Sequence, residues 1–516
     1  MKDIFFALIL TSIVNLSYAK GNAIIPQPLK MIMSTGNAAF SINKNTSIIT
    51  DIEFLSDAKI LAGYLKKVTG FTISVNQKSN QSTSKTLILL NHGIAGLIPK
   101  EGYVLDVSER KIQIQASHSA GAYYGCMSLL QAIEYTDRSN MYSIAPIHIE
   151  DESRFAWRGL MLDCSRTFVS VDYLMKTIDR MSFYKLNILH LHLTDDQGWR
   201  LEIKKSPLLT SKGAFFAKNF NEPKEFEGFY TQNQMKELII YASQRHVEIV
   251  PEIEVPGHSH AALYAYPELS CSGNISPIFP FSGGPNMTTN DVFCAGNDNT
   301  FRFFENVIKE VSEVFPSQYI HLGGDEVGEG AWKDCKKCQD KMKSLGSSDQ
   351  NNFQGYVMNR VCNYVVEANK RPVGWDEVFQ TGVGKETVIM IWREFDKGIK
   401  EVKAGYDVIL TPYPDLYFDF TYEKTSTKKV YSFEPIPDNV TSEEVKHYLG
   451  IQSCFWSHID RTESKTDYQI FPRLLAMAER AWSDKSVTDY DNFYQRLLKQ
   501  EFWLKYFDVK YMSIDK

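Results

Sequence analysis

The 516-residue sequence lacks the features that would assign it to a membrane or to a nucleic acid. Beyond its first residues, no stretch approaches the roughly 18 consecutive apolar residues of a candidate transmembrane helix. It has no run of five like charges, and its formal net charge of -6, with 23% charged residues, does not indicate a basic binding surface. We therefore expect no membrane and no nucleic-acid partner, and a substrate that is neutral or only locally charged.

The first residues are typical of an export signal. Lys2 precedes an apolar run from Ile4 to Val14, and the small residues Ser17 and Ala19 precede a cleavage site. Because this run is too short to span a bilayer, we predict a signal peptide over residues 1–19 and an exported protein, periplasmic, extracellular or lysosomal according to the host. An uncleaved anchor is the alternative.

Cysteine is sparse, with eight residues in the chain, so disulfides are not needed to hold a core of this size. Cys271 and Cys294 flank a Gly/Ser/Pro-rich loop, and we predict a disulfide between them. Cys335 and Cys338 have the spacing of half a zinc site, but no second half with a suitable spacing follows them. A local disulfide or two free thiols is the favoured interpretation, and we expect no metal and no cofactor.

The chain divides into two parts that differ in their pattern of apolar and polar residues. Residues 20–150 mix short strands, such as TLILLN and YVLDVSERKIQIQAS, with one helix, AGAYYGCMSLLQAIEY, and predict a small α/β domain. In residues 151–516, short apolar runs alternate with amphipathic helical segments. Eight such runs occur, namely RGLMLDCSR, KLNILHLHLTDD, VEIVPEIEVPGH, YIHLGGDE, RPVGWDE, VIMIWR, DVILTPYPDLYFD and IQSCFWSH. This pattern predicts a (β/α)8 TIM barrel, with a doubly wound open sheet as the alternative.

Polar and aromatic residues stand where these runs end, which is where barrel enzymes place their active sites. They combine carboxylates, an arginine, tryptophans and tyrosines, without a Gly-rich phosphate loop or a complete metal-ligand set. Aromatic walls with polar rims suit a sugar ring, so glycoside chemistry is the first hypothesis.

Asp325 and Glu326 are adjacent, which is unusual for a pair of glycosidase acids. Ordinary glycosidases hold two carboxyls about 5 to 9.5 Å apart across the scissile bond, whereas consecutive side chains in extended chain point to opposite sides. The pair fits another arrangement, in which Glu326 protonates the leaving oxygen and the 2-acetamido group of the sugar attacks the anomeric carbon. Asp325 would then hold the acetamide N–H.

The motifs HLGGDE, HLHLTDDQGWR, PEIEVPGH, GWDE and AERAW resemble family 20 of the glycoside hydrolases, the β-N-acetylhexosaminidases. The resemblance covers nearly the whole mature chain, because a small α/β domain before a barrel is also the layout of that family. It implies an exo-acting, retaining enzyme that removes one terminal N-acetylhexosamine from a glycan through an oxazolinium intermediate.

The resemblance also implies a role for each matching residue. Asp325 would orient the acetamide, Glu326 would act as general acid and base, and Tyr417, at the end of the seventh strand, would bind the acetamide carbonyl. The remaining substrate-binding residues would be three pocket tryptophans, two groups that bind ring hydroxyls and a polar pair beneath Glu326, namely Trp375, Trp392, Trp456, Arg166, Asp419, Asp195 and His258. Arg166 could instead form a structural ion pair with Asp163 or Asp195.

Two positions depart from the family pattern. Glu254 stands where the family more often has Asp, and His458 stands where a Glu that grips the outer hydroxyls of the sugar is expected. A histidine there, cationic near its ordinary pKa of about 6.5, could accept a 6-sulfated GlcNAc, or it could simply hydrogen-bond a hydroxyl. A non-catalytic sugar-binding barrel and an endo-acting chitinase-like hydrolase are the rival functions.

Overall fold

The computed structural model describes residues 23–34, 38–77, 86–93, 96–136, 141–281, 291–328, 330–393 and 396–514. The predicted signal peptide, residues 1–19, lies outside these ranges. Within them, no helix has the length and apolar character needed to cross a bilayer.

The N-terminal part forms a mixed seven-stranded sheet covered by the helices Leu55–Thr69 and Ser119–Gln131. In spatial order its strands are Lys30–Met33, Ile147–Asp151, Tyr103–Val107, Lys111–Ala116, Thr86–His92, Thr46–Thr50 and Ser74–Gln77. The first four are antiparallel neighbours, and the remaining pairs are parallel. The predicted small α/β domain is therefore present as a layer of helices on a sheet.

One predicted helix is shorter than its sequence pattern indicated. The helix ends at Gln131, and Glu134–Thr136 pairs instead with Met141–Ile144, which also pairs with Phe40–Ile42. The rings of Tyr135 and Tyr142 lie 4.9 Å apart across this small sheet. An aromatic cross-strand pair of this kind stabilises a strand, which explains the departure from helix.

The second part is a closed barrel of eight parallel strands, as predicted. The first strand pairs with both the second and the eighth, which excludes the open-sheet alternative. In chain order the strands are Trp157–Asp163, Ile188–His192, Glu248–Glu252, Tyr319–His321, Arg371–Trp375, Val388–Ile391, Val408–Leu410 and Tyr448–Phe455. Each overlaps one of the eight apolar runs recognised in the sequence.

Helices connect these strands and cover the barrel. The principal ones after each strand are Val171–Phe183, Gln232–Ser243, Asp298–Val314, Gln350–Glu367, Glu377–Gln380, Ile399–Lys403, Thr427–Ser432 and Arg473–Trp482. Shorter or additional helices are Leu208–Ser211, His260–Ala265, Lys336–Ser344, Ser442–Val445, Glu463–Ile470, Tyr490–Lys499 and Glu501–Tyr506. Inside the barrel, Met161, Val250, Met390 and Cys454 are buried against one another. The interior is therefore packed, and an open site can form only at a barrel mouth.

The predicted disulfide between Cys271 and Cys294 is wrong, since none of the eight cysteines is in a disulfide. Cys271 and Cys294 instead lie in one cluster with Cys335 and Cys338. The segment around Cys294 packs directly on the turn that holds the other pair, because a Cβ at Gly296 would lie 2.2 Å from the Lys337 carbonyl carbon. This long-range contact brings together two cysteine pairs that are far apart in the sequence.

Candidate active site

A glycine turn presents the two adjacent acids at the C-terminal mouth of the barrel. Gly323 and Gly324 have φ angles of 62° and 91°. A Cβ would lie 1.7 Å from the Glu254 carboxylate at Gly323 and 2.4 Å from Val378 at Gly324. Both the left-handed backbone and the lack of space require glycine. The turn ends the fourth strand and places Asp325 and Glu326 beyond it.

Glu326 does not continue as extended chain, because its φ is 49°. His258, with a φ of 45°, is a second non-glycine residue in the left-handed region. Such conformations cost free energy and concentrate at functional sites, where the surrounding structure enforces them. The alternation expected for extended neighbours therefore does not determine where the two carboxyls point.

His258 connects the acid pair to the second strand's loop. Its Nε2 lies 3.4 Å from Asp325 Oδ2 and 3.4 Å from Glu326 Oε2, and its Nδ1 lies 3.2 Å from Asp195 Oδ1. Burial lowers the pKa of His258, but the carboxylates of Asp195 and Asp325 outweigh it and hold this pKa well above its ordinary range. The structure thus places a buried imidazolium between three carboxylates.

The two acids have different surroundings. The Glu326 side chain is 54% exposed, whereas that of Asp325 is 12% exposed. The hydrogen bond from His258 lowers the pKa of Glu326. Among the described residues, buried Oδ1 of Asp325 has no hydrogen-bond partner, so this oxygen is available to accept a bond from a ligand.

Arg166 forms the ion pair that was one of its two predicted roles. Its Nη2 lies 2.8 Å from Asp195 Oδ2, and Nη1 lies 3.6 Å from Asp163 Oδ2. The guanidinium also lies 4.8 Å from the ring centre of Trp456. Its buried Nε and Nη1 have no hydrogen-bond partner within the described part of the chain, so structural pairing leaves two nitrogens of the guanidinium free to donate.

Four aromatic side chains form a continuous wall. The ring of Trp392 stacks on Tyr417 at 6.2 Å, Tyr417 lies 6.3 Å from Trp456, and Trp456 lies 6.1 Å from Trp375. The four residues come from the ends of the fifth, sixth and eighth strands and from the loop after the seventh. Strands that are separate in sequence therefore contribute to a single apolar surface suited to a sugar face.

The indole N–H groups of two of these tryptophans are already bonded to carboxyl groups. Trp375, which is buried, donates to Glu252 at 2.8 Å, and Trp392 donates to Glu377 at 3.1 Å. These bonds fix the planes of the rings. Trp392, which is partly exposed, can thus offer a ligand its apolar face rather than its donor, whereas Trp375 lies buried within the wall.

Tyr417 is not at the end of the seventh strand as predicted. That strand is Val408–Leu410, and Tyr417 lies in the following loop, where it forms a bridge with Cys454 of the eighth strand. Pro412 and Pro414 intervene and have no N–H to donate to a ladder, which shortens the strand. The Tyr417 side chain nevertheless lies within the aromatic wall.

Asp419 follows in the same loop. Burial raises its pKa to about 7. In the part of the chain that the structure describes, its buried Oδ1 has no hydrogen-bond partner. A carboxyl of this kind can both donate and accept hydrogen bonds below neutral pH.

His458 packs edge-on against Phe281, with ring centres 4.9 Å apart. Burial and the nearby Arg166 cation lower its pKa to about 4. This corrects the expectation of an imidazole that becomes cationic near pH 6.5. His458 is neutral in mildly acidic solution.

Three further acids support the pocket. The sequence analysis named Asp163 as an ion-pair partner of Arg166 and Glu254 as a departure from the family pattern, but it did not single out Glu377. Asp163 accepts N–H bonds from Arg166 at 3.0 Å and from Ser457 at 3.0 Å, which joins the loops after the first and eighth strands. Burial and Asp325 raise the pKa of Glu377 to about 9, and the same two causes raise that of Glu254. Glu377 could have been found as the last residue of the GWDE motif.

The fold and these side chains together define a (β/α)8 barrel with an acidic, aromatic pocket at its C-terminal mouth. Two family models match the chain: glycosyl hydrolase family 20, catalytic domain, over residues 155–485, and glycosyl hydrolase family 20, domain 2, over residues 22–152. The chain belongs to glycosyl hydrolase family 20, which confirms the resemblance noted in the sequence.

Individual relatives agree with this assignment. A Porphyromonas gingivalis protein named beta-hexosaminidase is 36% identical over 93% of this chain, and one from Vibrio furnissii is 35% identical over 73%. The matches span only 63% and 64% of the length of those two proteins. The crystal structure of an exo beta-N-acetylglucosaminidase from Vibrio harveyi, solved with N-acetylglucosamine, covers 96% of this chain and 79% of its own, at 30% identity and a TM-score of 0.85.

Proposed function

We propose that the chain is an exo-acting, retaining β-N-acetylhexosaminidase that releases terminal β-linked GlcNAc or GalNAc from glycans. The observation that carries this proposal is the adjacent pair Asp325 and Glu326, both 3.4 Å from one buried imidazolium. One acid is exposed and the other is largely buried, so they suit two neighbouring atoms of one substrate. The names of the relatives support the same activity.

The first step breaks the glycosidic bond. Glu326 gives its proton to the leaving oxygen while the acetamide oxygen of the substrate forms a bond to the anomeric carbon. Asp325 accepts the acetamide N–H and stabilises the positive charge of the oxazolinium, and the Tyr417 hydroxyl binds the acetamide oxygen.

The second step restores the sugar. Glu326, now ionised, takes a proton from a water molecule that attacks the anomeric carbon from the side the leaving group vacated. The bond to the acetamide oxygen breaks, and the product keeps the original anomeric configuration. Two successive inversions at one carbon thus give retention.

The pocket would hold one terminal sugar. Trp375, Trp392 and Trp456 would surround the N-acetyl methyl and the ring, while Arg166 and Asp419 would bind ring hydroxyls. A closed pocket favours removal of single residues over cleavage within a polymer. We further propose export through the N-terminal signal, which N-terminal sequencing of the native protein would test.

Product analysis tests the proposal. Defined oligosaccharides ending in β-GlcNAc or β-GalNAc should release single sugars whose first-formed anomer is β by NMR. A thiazoline analogue of the cyclic intermediate should inhibit far more tightly than substrate binds. Longer products would favour an endo-acting chitinase-like hydrolase, binding without hydrolysis would favour a sugar-binding barrel, and an α product would contradict the mechanism.

We also propose that the pocket accepts terminal GlcNAc bearing a 6-sulfate. A neutral His458 removes the negative charge that the family pattern places here and can donate an N–H to an anion. Because its pKa is lowered to about 4, tolerance should not increase between pH 7 and pH 5. The ratio of kcat/KM for sulfated and plain aryl β-GlcNAc should fall in His458→Glu and hold in His458→Gln. An unchanged ratio in His458→Glu would reject a role for His458.

A further inference from the structure

Four cysteines lie together beside the active-site loops, outside the proposed chemistry. Cys271 and Cys294 belong to the long connection after the third strand, and Cys335 and Cys338 to the connection after the fourth. The four sulfurs lie within 4.8 Å of one another. Cys294, Cys335 and Cys338 are buried, and Cys271 is partly buried.

Three of the six sulfur–sulfur distances match the edges of a metal-centred tetrahedron, and all six are within 4.8 Å. Cys271 and Cys338 are 3.7 Å apart, Cys294 and Cys335 are 3.7 Å apart, and Cys294 and Cys338 are 3.6 Å apart, measured between sulfurs. Four thiolates around Zn²⁺ at about 2.3 Å have sulfur–sulfur edges of about 3.8 Å. A disulfide would need about 2.0 Å.

The pattern of close sulfur–sulfur contacts also differs from that of two disulfides. Cys294 is close to both Cys335 and Cys338, and Cys338 is close to both Cys271 and Cys294. Disulfides require each sulfur to have one partner, whereas a common cation requires all sulfurs to converge. Convergence of four buried sulfurs therefore favours a cation.

The backbone completes the site. The N–H of Gly296 points at Cys338 Sγ at 3.3 Å, a bond that stabilises a thiolate more than a thiol. Cys335 precedes the helix Lys336–Ser344 and Cys338 lies in its first turn, so the Cys-x-x-Cys pair has the local geometry of half a zinc site.

We propose that Cys271, Cys294, Cys335 and Cys338 bind one structural Zn²⁺ ion. Tetrahedral coordination by four sulfurs is a preferred environment of Zn²⁺, and such a closed site leaves no position for a substrate. The prediction of no metal is thereby revised. The cation would cross-link the two loops that carry His258 and the acid pair.

Hydrogen bonds continue from this cluster to the pocket. Cys335 N–H donates to Trp332 O at 3.2 Å, and Trp332 Nε1 donates to Phe293 O at 3.0 Å. Phe293 N–H donates in turn to Pro256 O at 3.1 Å, two residues before His258. The four cysteines are thus positioning residues, because they act on the acids only through these loops.

Metal content of the full-length wild-type protein is the direct test. About one zinc ion per chain should survive dialysis, and a Co²⁺-exchanged sample should show the strong near-ultraviolet thiolate-to-cobalt absorption of an S4 site. Thiol titration of the folded protein should show four more reactive thiols with a chelator than without it. Iron in place of zinc, two disulfides by mass spectrometry, or four free thiols without metal would overturn the proposal.

Variants separate this site from the rest of the protein. Cys335→Ser/Cys338→Ser should lose the metal, and Cys362→Ala, which removes a buried cysteine outside the cluster, should keep it. If the double variant does not fold, Cys271→Ser, which alters the partly buried ligand, should lower zinc affinity at least tenfold in competition with a chromogenic chelator. Equal affinity in Cys271→Ser and wild type would exclude Cys271 as a ligand.

Discussion

Two regions of this molecule that contain buried charges treat them differently. At the contact between the N-terminal sheet and the barrel, Lys185 Nζ lies 2.8 Å from Asp151 Oδ2 with both side chains fully buried. Asp151 also accepts bonds from Tyr103 OH at 2.7 Å and from Trp482 Nε1 at 3.1 Å. Every oxygen of this carboxylate is used within the fold.

At the barrel mouth, by contrast, several buried polar groups lack hydrogen-bond partners. Oδ1 of Asp325, Oδ1 of Asp419 and Nε of Arg166 are buried without hydrogen-bond partners among the described residues. Unpaired buried polar atoms cost free energy, commonly about 1 to 3 kcal/mol each. The buried polar groups of the domain contact are satisfied within the fold and stabilise it, whereas those at the mouth remain available for hydrogen bonds to a ligand.

The largest effect should come from Glu326→Gln. Activity on glycosides with poor leaving groups should fall by about 10² to 10⁴, because these need the proton, while aryl glycosides with good leaving groups should lose much less. The free energy of unfolding should change by no more than about 0.5 kcal/mol, as is usual for an exposed position. Steady-state kinetics and urea unfolding measure both.

Asp325→Asn provides the matched comparison. It removes stabilisation of the oxazolinium itself, so both substrate types should slow by a similar factor, about 10² to 10³. If the two variants showed the same dependence on the leaving group, the division of roles between the acids would be wrong.

The domain contact should show the opposite behaviour in Asp151→Asn. This change leaves the Lys185 ammonium buried without its counter-charge and should lower the free energy of unfolding by about 3 to 5 kcal/mol. The kcat/KM of the folded enzyme should remain that of wild type. Adding Lys185→Met should restore most of the stability; a single variant as stable as wild type would remove the contrast between the regions.

The pH dependence of activity tests the imidazolium. The His258 hydrogen bond lowers the pKa of Glu326, so His258→Gln should raise that pKa. Because the free enzyme needs protonated Glu326, the alkaline limb of kcat/KM should move to higher pH by about one unit. His260→Gln is the control, since His260 pairs with Asp291 at 2.7 Å and should leave the limb in place. An unmoved limb in His258→Gln would contradict the assignment.

Sequence patterns predicted the barrel and the placement of most pocket residues for a physical reason. Strand ends of a parallel barrel share one mouth, so local apolar periodicity was enough to group Arg166, Trp375 and Asp325. The position of Tyr417 was not predictable in the same way, because the strand stops before the prolines. Local spacing likewise missed the cysteine cluster, whose two halves meet only through tertiary packing.

The charge states of the pocket histidines could not be predicted from the sequence either. The ordinary pKa of histidine suggested a cation at position 458, but burial and Arg166 lower it to about 4. His258 is shifted the other way, since Asp195 and Asp325 outweigh its burial. Two histidines of one pocket thus differ in charge because of neighbours that only the fold brings close.

The smallest effect is expected for Asp419→Asn. With a pKa raised to about 7 by burial, Asp419 is largely protonated at pH 5, and an amide can replace a neutral carboxyl in both donating and accepting. At pH 5 the KM of the variant should stay within about threefold of wild type, less than one net hydrogen bond, whereas Asp419→Ala should raise it by about tenfold. Above pH 7 only wild type gains a carboxylate and its stronger, charge-assisted bond to a hydroxyl, so the difference between Asn and Asp should widen. A KM ratio that stays constant from pH 5 to pH 8 would show that this carboxyl does not change charge in the working pocket, and that its unpaired oxygen does not meet the sugar.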